Sequence, residues 1–175
     1  MLNSDYLAMT SVRISIEKLR HGLLFLLSAT IVLVADQVTK TMVRANMDLG
    51  ESIPDTGRFR LTYSTNDGAV FGLSVDSTFL TFMACTVVIL IIWAYFSHFS
   101  EKSNWMLRLG LGLVLGGAVG NLVDRVRFGE VIDFIDVQLW GEYHWAIFNI
   151  ADAALSTGVI MLMFVLLGGH KLFGK

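Results

Sequence analysis

The stretch STFLTFMACTVVILIIWAYFS, residues 77–97, contains no charged side chain. An α-helix needs about 20 consecutive, mostly apolar residues to cross a bilayer. Membrane-spanning β-strands would instead alternate polar and apolar residues, because only helices and closed barrels satisfy every backbone group in lipid. Residues 77–97 therefore predict a transmembrane helix.

Three further apolar runs flank this segment, at 22–35, 105–123 and 146–167. Arg108 interrupts the second of them and Asp152 the third. The first is long enough only if the helix continues through Asp36. We predict a single membrane domain that is all-α, with four spans and two outer segments that carry a small β-sheet and a short helix or loop. The predicted spans are about 20–40, 77–97, 105–124 and 146–167, and the predicted outer segments are about 41–76 and 125–145.

The composition agrees with a membrane protein. Of the 175 residues, 54% are hydrophobic and only 16% charged, against about 25% charged residues in a typical soluble domain. The mean hydropathy is +0.63. The 13 Lys and Arg residues against 15 Asp and Glu give a net charge of −2. This composition argues against a soluble enzyme, a disordered chain and a nucleic-acid-binding protein.

The charges predict an orientation with both termini in the cytoplasm. Basic residues lie in short segments near the cytoplasmic ends of the predicted spans, where they influence topology most. Apart from Asp5, Glu17 and Glu101, every acidic residue falls on or near the outer side. A cleaved signal peptide is an alternative for the first run, because basic residues precede it. A clean cleavage site is lacking, which favours a retained anchor.

The first outer segment carries a strand pattern. Residues 58–64 alternate polar and apolar side chains, which is typical of a half-buried strand. Residues 66–69 form a turn signal, and 70–73 are expected to form a second strand beside the first. In the second outer segment, the cluster of Trp140, Tyr143, His144 and Trp145 fits a belt at the headgroup level, with His144 as its polar tip.

Only the carboxylates offer clear chemistry. Cys85 is the sole cysteine and lies mid-span, where a thiol is inert. The four histidines have no metal-ligand spacing, so we expect no metal and no cofactor. Asp152, in contrast, lies inside a span, where an ionisable residue is functional by default. Asn149 is on the same helix face.

Asp133 is a second carboxylate in apolar sequence, at the outer boundary of the third span. Two such carboxylates close together share one proton, which is the arrangement of aspartic proteases. The residues alone leave six possible pairs among Asp36, Asp124, Asp133 and Asp152. They also leave two non-enzymatic alternatives, namely a proton-coupled transporter subunit and an assembly factor in which Asp152 pairs with Arg125.

The third span has a glycine-rich face. Gly112, Gly116 and Gly120 recur every four residues, and small residues at this spacing let helices approach closely. If the chain acts on a helical substrate, we expect that helix to lie against this face, with Phe71, Phe134, Trp140 and Trp145 as apolar wall residues of the same cleft.

Five motifs together resemble lipoprotein signal peptidase, also called signal peptidase II. They are DQVTK (36–40), NDGAVFG (66–72), GGAVGNLVDR (116–125), VIDF (131–134) and FNIAD (148–152). Each motif is weak alone. Their order and their positions relative to the four predicted spans make the resemblance specific, and it covers most of the chain.

The resemblance implies a bacterial inner-membrane aspartic endopeptidase with its active site at the outer face. Such enzymes cut diacylglyceryl-modified prolipoproteins just before the lipidated cysteine. The implied catalytic dyad is Asp133 and Asp152. The implied supporting residues are Asp36, Lys40, Asn66, Gly68, Asn121, Asp124, Arg125, Asn149 and Ala151. The expected partners are the lipidated substrates and membrane lipid, without nucleic acid, and we expect a monomer.

Overall fold

Four helices and six short strands make up the protein in a computed structural model, which describes residues 4–70, 73–74, 76–98, 105–141 and 143–168. The helices are α1 (Ser4–Asn46), α2 (Ser77–His98), α3 (Trp105–Phe128) and α4 (Ile150–Leu166). The strands are β1 (Ser52–Ile53), β2 (Phe59–Asn66), β3 (Ala69–Val70), β4 (Leu73–Ser74), β5 (Val131–Trp140) and β6 (Tyr143–His144).

Three helical segments in the described part of the chain are long and apolar enough to cross a membrane. They are Gly22–Asn46, Ser77–Tyr95 and Trp105–Phe128. Helix α4 is equally apolar but has only 17 residues, or about 26 Å at 1.5 Å per residue, slightly less than the hydrocarbon thickness of about 30 Å. It starts at Ile150 rather than near 146, because the chain before it is extended.

Helix α3 is central and packs most extensively against α1 and α4. Its glycines allow both contacts. A Cβ atom at Gly116 would lie 2.6 Å from the carbonyl oxygen of Ala29, and one at Gly112 would collide with Ser28, so this face is filled by α1. A Cβ atom at Gly117 would collide with the Ala151 carbonyl of α4. The expectation that a substrate helix lies on the glycine face is therefore wrong.

The small sheet joins the two outer segments. Its strand order is β1-β2-β5-β6, with antiparallel neighbours. The predicted strand at 58–64 is confirmed as β2, but among the described residues its partners are β1 and β5, not Val70 or Leu73. Strands β3 and β4 pair with each other instead. The ten-residue β5, in the second predicted outer segment, offers β2 a longer partner.

Strand β2 contains a bulge where it pairs with β5. Leu61 pairs with Ile135 and Ser64 with Asp133, so one extra residue of β2 is accommodated between them. A bulge of this kind bends the strand and re-aims nearby side chains. It lies directly opposite the segment of β5 that carries Asp133.

Candidate active site

Asp133 and Asp152 lie on different elements that meet at Asn149. Asp133 is on β5 and is only 4% exposed. Asp152 is the third residue of α4 and is half-buried. Backbone hydrogen bonds tie the two elements together, since Phe148 accepts from Phe134 and Ile135 and donates back to Ile135. The chain therefore turns from the extended segment into α4 right beside β5.

Asn149 contacts both carboxyl-bearing elements. Its Nδ2 donates to Asp133 Oδ1 at 2.7 Å and to the Ile132 carbonyl at 3.3 Å. Its Oδ1 accepts from the Asp152 backbone N–H at 2.8 Å, and the Asn149 N–H donates to Asp152 Oδ2 at 3.3 Å. This reciprocal pair is a capping box at the start of α4. Asn149 is fully buried.

Asn121 of α3 forms the second amide contact of the site. Its Nδ2 donates to Asp152 Oδ1 at 2.7 Å. Its Oδ1 accepts from Lys40 Nζ at 2.9 Å and from Asn149 Nδ2 at 3.2 Å. An ammonium group can only donate, so Lys40 fixes which end of the amide faces Asp152.

Lys40 is the centre of a buried ion cluster. Its Nζ lies 2.9 Å from Asp36 Oδ2 and 2.8 Å from Asp124 Oδ2, and all three side chains are at most 1% exposed. The remaining oxygens are also bonded. Asp36 Oδ1 accepts from the Ala151 N–H at 2.9 Å, and Asp124 accepts from Gln37 and from the Ile132 N–H. Burying charges is costly unless they are paired in this way.

Three more of the expected residues lie around the dyad. Asn66 at the end of β2 hydrogen-bonds the Asp133 side chain, and its Oδ1 accepts from the Gly68 N–H at 3.1 Å. Gly68 adopts φ of 141°, a conformation that side chains rarely tolerate. Arg125 makes no ion pair with any carboxylate in the described residues, yet its charge interacts with Asp152 and Asp133. The expected pairing of Asp152 with Arg125 in an assembly factor is therefore not observed.

Asp133 keeps its proton to a much higher pH than an ordinary aspartate. Burial chiefly, and then the neighbouring charge of Asp152, raise the pKa of Asp133 from 3.8 to about 7, although the hydrogen bond from Asn149 opposes this shift. A carboxyl group that holds a proton near pH 7 can serve as a general acid.

Sequence reasoning missed a second carboxylate cluster on the opposite face of β5. Asp136, 2% exposed, accepts from Arg60 at 2.6 Å and from Thr62 at 2.8 Å, and lies 2.7 Å from His144 Nδ1. Burial alone would raise the pKa of Asp136, but the hydrogen bonds from His144, Thr62 and Arg60 hold it below its usual value. His144 is thus bonded to the sheet rather than being a simple interfacial tip. The alternation of strand faces along residues 131–136, which puts Asp136 on the face opposite Asp133, was the signal in the sequence that could have revealed this cluster.

The expected apolar wall is only partly present as a free surface. Trp140 and Trp145 are exposed, and Trp140 stacks on Tyr143 with 5.1 Å between ring centroids. Phe134 is instead buried in the interior. Phe71 lies outside the described residues. The two tryptophans therefore remain as candidates for contact with acyl chains.

Comparison with known proteins gives a consistent result. Residues 28–168 match the family described as Signal peptidase (SPase) II. A lipoprotein signal peptidase of Moorella thermoacetica is 45% identical over 144 residues, which cover 82% of this chain and 92% of that protein. One from Syntrophus aciditrophicus is 44% identical over 146 residues, covering 81% and 90%.

The fold is also found in an experimental structure. A bacterial membrane enzyme solved by the in meso method at 2.3 Å resolution superimposes with a TM-score of 0.74 at 32% sequence identity. The superposition covers 86% of this chain and 92% of the other. From its five ordered motifs, its fold and these relatives, we conclude that the chain belongs to the signal peptidase II family.

Proposed function

We propose that this protein is a membrane aspartic endopeptidase that removes signal peptides from prolipoproteins, with Asp133 and Asp152 as its catalytic dyad. The observation that carries the proposal is the paired anchoring of these carboxylates by two amides. Asn149 bonds Asp133 and Asn121 bonds Asp152, and the two amides also bond each other. We infer that two carboxylates anchored in this way act together on one peptide bond, because fixed positions lower the entropy cost of bringing reacting groups together.

The two carboxylates take different roles in this mechanism. Asp133 starts with the shared proton, in line with its raised pKa. Asp152 accepts a proton from a water molecule, whose oxygen attacks the scissile carbonyl carbon while Asp133 protonates the carbonyl oxygen. The tetrahedral intermediate then collapses. The C–N bond breaks, the leaving nitrogen takes the proton from Asp152, and the hydroxyl proton returns to Asp133.

The position of the dyad suits a substrate anchored in the membrane. Lys40, Asn121 and Asp152 lie near the outer end of α1, the outer end of α3 and the start of α4. The site is thus at one end of the helical bundle, and we infer that this end lies at the depth of the lipid headgroups. We infer four membrane spans with both termini in the cytoplasm of a bacterium and the dyad at the outer face of the inner membrane. The peptide bond before a diacylglyceryl-modified cysteine would lie at this depth. We also infer that a monomer provides the complete site.

Cleavage of a lipidated prolipoprotein in proteoliposomes tests this proposal. Asp133→Asn and Asp152→Asn should each lower kcat by at least about a thousandfold, because each variant removes one of the two proton-transfer groups. Asp48→Asn, at an exposed outer position, is the matched control and should cleave normally. An unlipidated precursor should be a poor substrate. Normal cleavage by either dyad variant, with its fold verified by thermal unfolding, would refute the assignment.

A further inference from the structure

A basic pocket lies beside the dyad network, at the outer ends of α1 and α3. It has a volume of about 200 Å³. Helix α1 contributes the polar or basic side chains of Gln37, Thr41 and Arg44, and Arg127 and Phe128 complete the opposite wall. Lys40 and Asp124 form its base, where they already pair with each other.

Two arginines meet on one aromatic ring in this pocket. The Arg44 guanidinium lies 4.0 Å from the centre of the Phe128 ring, and that of Arg127 lies 5.1 Å from the same centre. Within the described residues, neither arginine forms an ion pair with a carboxylate. Asp124 instead pairs with Lys40 and accepts from Gln37 and the Ile132 N–H. Two adjacent positive charges repel each other unless an anion lies between them.

A shallow apolar groove lies further along α1, open to its surroundings and lined by Thr30, Ile31, Val34, Ala35 and Val38. Thr30, Val34, Gln37, Thr41 and Arg44 follow one another at intervals of four and three residues, so groove and pocket form one stripe.

This stripe matches the depth of one leaflet. Val34 and Arg44 are ten residues apart along the helix, which corresponds to about 15 Å, or half of the hydrocarbon thickness of about 30 Å. Arginine binds phosphate oxygens with two parallel hydrogen bonds, and its planar group also stacks on aromatic rings. The phosphodiester of a phospholipid lies at the depth where these helices end.

We propose that Arg44 and Arg127 bind the phosphodiester of an anionic glycerophospholipid, with one acyl chain along the groove of α1. The apolar groove below the basic pocket favours a phospholipid over free phosphate. The diacylglyceryl group of a lipoprotein carries no phosphate, so it offers the two guanidinium groups no anion to bind. Binding does not depend on proteolysis, and it can be measured equally on Asp152→Asn.

Native mass spectrometry of the full-length protein in nonionic detergent tests the site. The probes are dioleoylphosphatidylglycerol, dioleoylglycerol with the same chains but no phosphate, and inorganic phosphate. The phosphatidylglycerol should bind at least tenfold more tightly than either of the others. Arg44→Gln and Arg127→Gln should each weaken its binding about tenfold, the range of one charge-assisted hydrogen bond. Arg58→Gln, which removes an exposed charge from the same outer side, should have no effect.

Further variants keep the proposal falsifiable. Arg44→Lys retains the charge but not the two-pronged geometry, so it should give an intermediate loss even if the glutamine variant is unstable. Equal binding of phosphatidylglycerol and dioleoylglycerol would overturn the proposal. Inorganic phosphate binding as tightly as the lipid would overturn the assignment to a phospholipid. Binding that is unchanged in both Arg44→Lys and Arg127→Gln would also overturn it.

Discussion

Asn149 donates a hydrogen bond to Asp133 at 2.7 Å while its own Oδ1 accepts from the first turn of α4. One side chain therefore caps the helix that carries Asp152 and anchors the strand that carries Asp133. The relative position of the two carboxylates depends on this residue as much as on the sheet. The two roles of Asn149 use different atoms, so substitutions can separate them.

Asn149→Ser should keep the cap and lose the anchor. A serine oxygen caps a helix about as well as asparagine does, whereas alanine costs about 1 kcal/mol. We expect Asn149→Ser to unfold at a higher temperature than Asn149→Ala, because the cap is kept, but to lose at least about tenfold in kcat, because the amide donor to Asp133 is gone. Asn149→Ala should lose both the helix cap and the hydrogen bond to Asp133. Full activity of the serine variant would show that the Asp133 contact is dispensable.

Lys40→Met should strongly destabilise the protein. Removing the only cation of the cluster leaves Asp36 and Asp124 as buried, unpaired charges, and breaking such a cluster costs about 3–5 kcal/mol. Denaturant titration followed by tryptophan fluorescence measures the change in the free energy of unfolding. Adding Asp36→Asn and Asp124→Asn to the same chain should recover much of the loss. Arg58→Met is the control for removal of an exposed cation, and a loss of equal size there would contradict the explanation.

Gly116→Ala should impair folding rather than substrate binding. The added methyl group would meet the backbone oxygen of Ala29 at 2.6 Å and the side chain of Val32 at 2.8 Å. Forcing α1 away from α3 should cost about 1–3 kcal/mol, visible as a lower unfolding temperature. KM of the folded fraction should not change. Val126→Ala, at a position of α3 that is 72% exposed, should be nearly neutral. A raised KM at unchanged stability would contradict this prediction and would indicate that the substrate binds to the glycine face.

The activity should fall as the pH rises above neutrality. With a raised pKa of about 7, Asp133 loses the shared proton in this range, and the dyad then lacks its general acid. The pH profile of kcat/KM reports the free enzyme, so its upper limb should bend near pH 7. Thermal unfolding at each pH verifies that the protein remains folded. A profile that stays flat from pH 6 to pH 9 would contradict the role given to Asp133.

Asp133→Asn should stabilise the protein above pH 7. Because the pKa of Asp133 is higher in the folded state than its ordinary value of 3.8, folding becomes less favourable as the pH rises from about 4 to about 7. The asparagine variant does not titrate and escapes this loss. Each pKa unit corresponds to about 1.4 kcal/mol, so a gain above about 1 kcal/mol at pH 8 is expected. The gain should shrink toward pH 4, and a pH-independent difference would exclude titration as its cause.

Local patterns identified several elements correctly. The uncharged run at 77–97 became α2, and the alternation at 58–64 became β2. The pairing of β2 was wrong, because alternation specifies a strand but not its neighbour. The expected partner at 70–73 is close in sequence, whereas β5 lies about 70 residues away and offers a longer ladder.

In the polar network too, the sequence identifies individual residues but not their distant partners. Asp152 stands out in the sequence because a charge inside a predicted span is costly. That Lys40 lies between Asp36 and Asp124, and reaches Asp152 through Asn121, follows from contacts across 81 residues and more. Nothing in the neighbourhood of Lys40 in the sequence specifies these partners beyond Asp36, which is one helical turn away.

The sequence by itself determined that this chain belongs in a membrane, where its helices run and which carboxylates are costly to bury. Hydrophobicity and periodicity are local properties, so a linear reading captures them. Only the tertiary structure decided that α1 covers the glycine face of α3, that β5 completes the sheet, and that Asn149 bonds to Asp133. These choices depend on shape and on hydrogen-bond geometry between distant segments, because each buried polar group must find a partner wherever the packed helices place one.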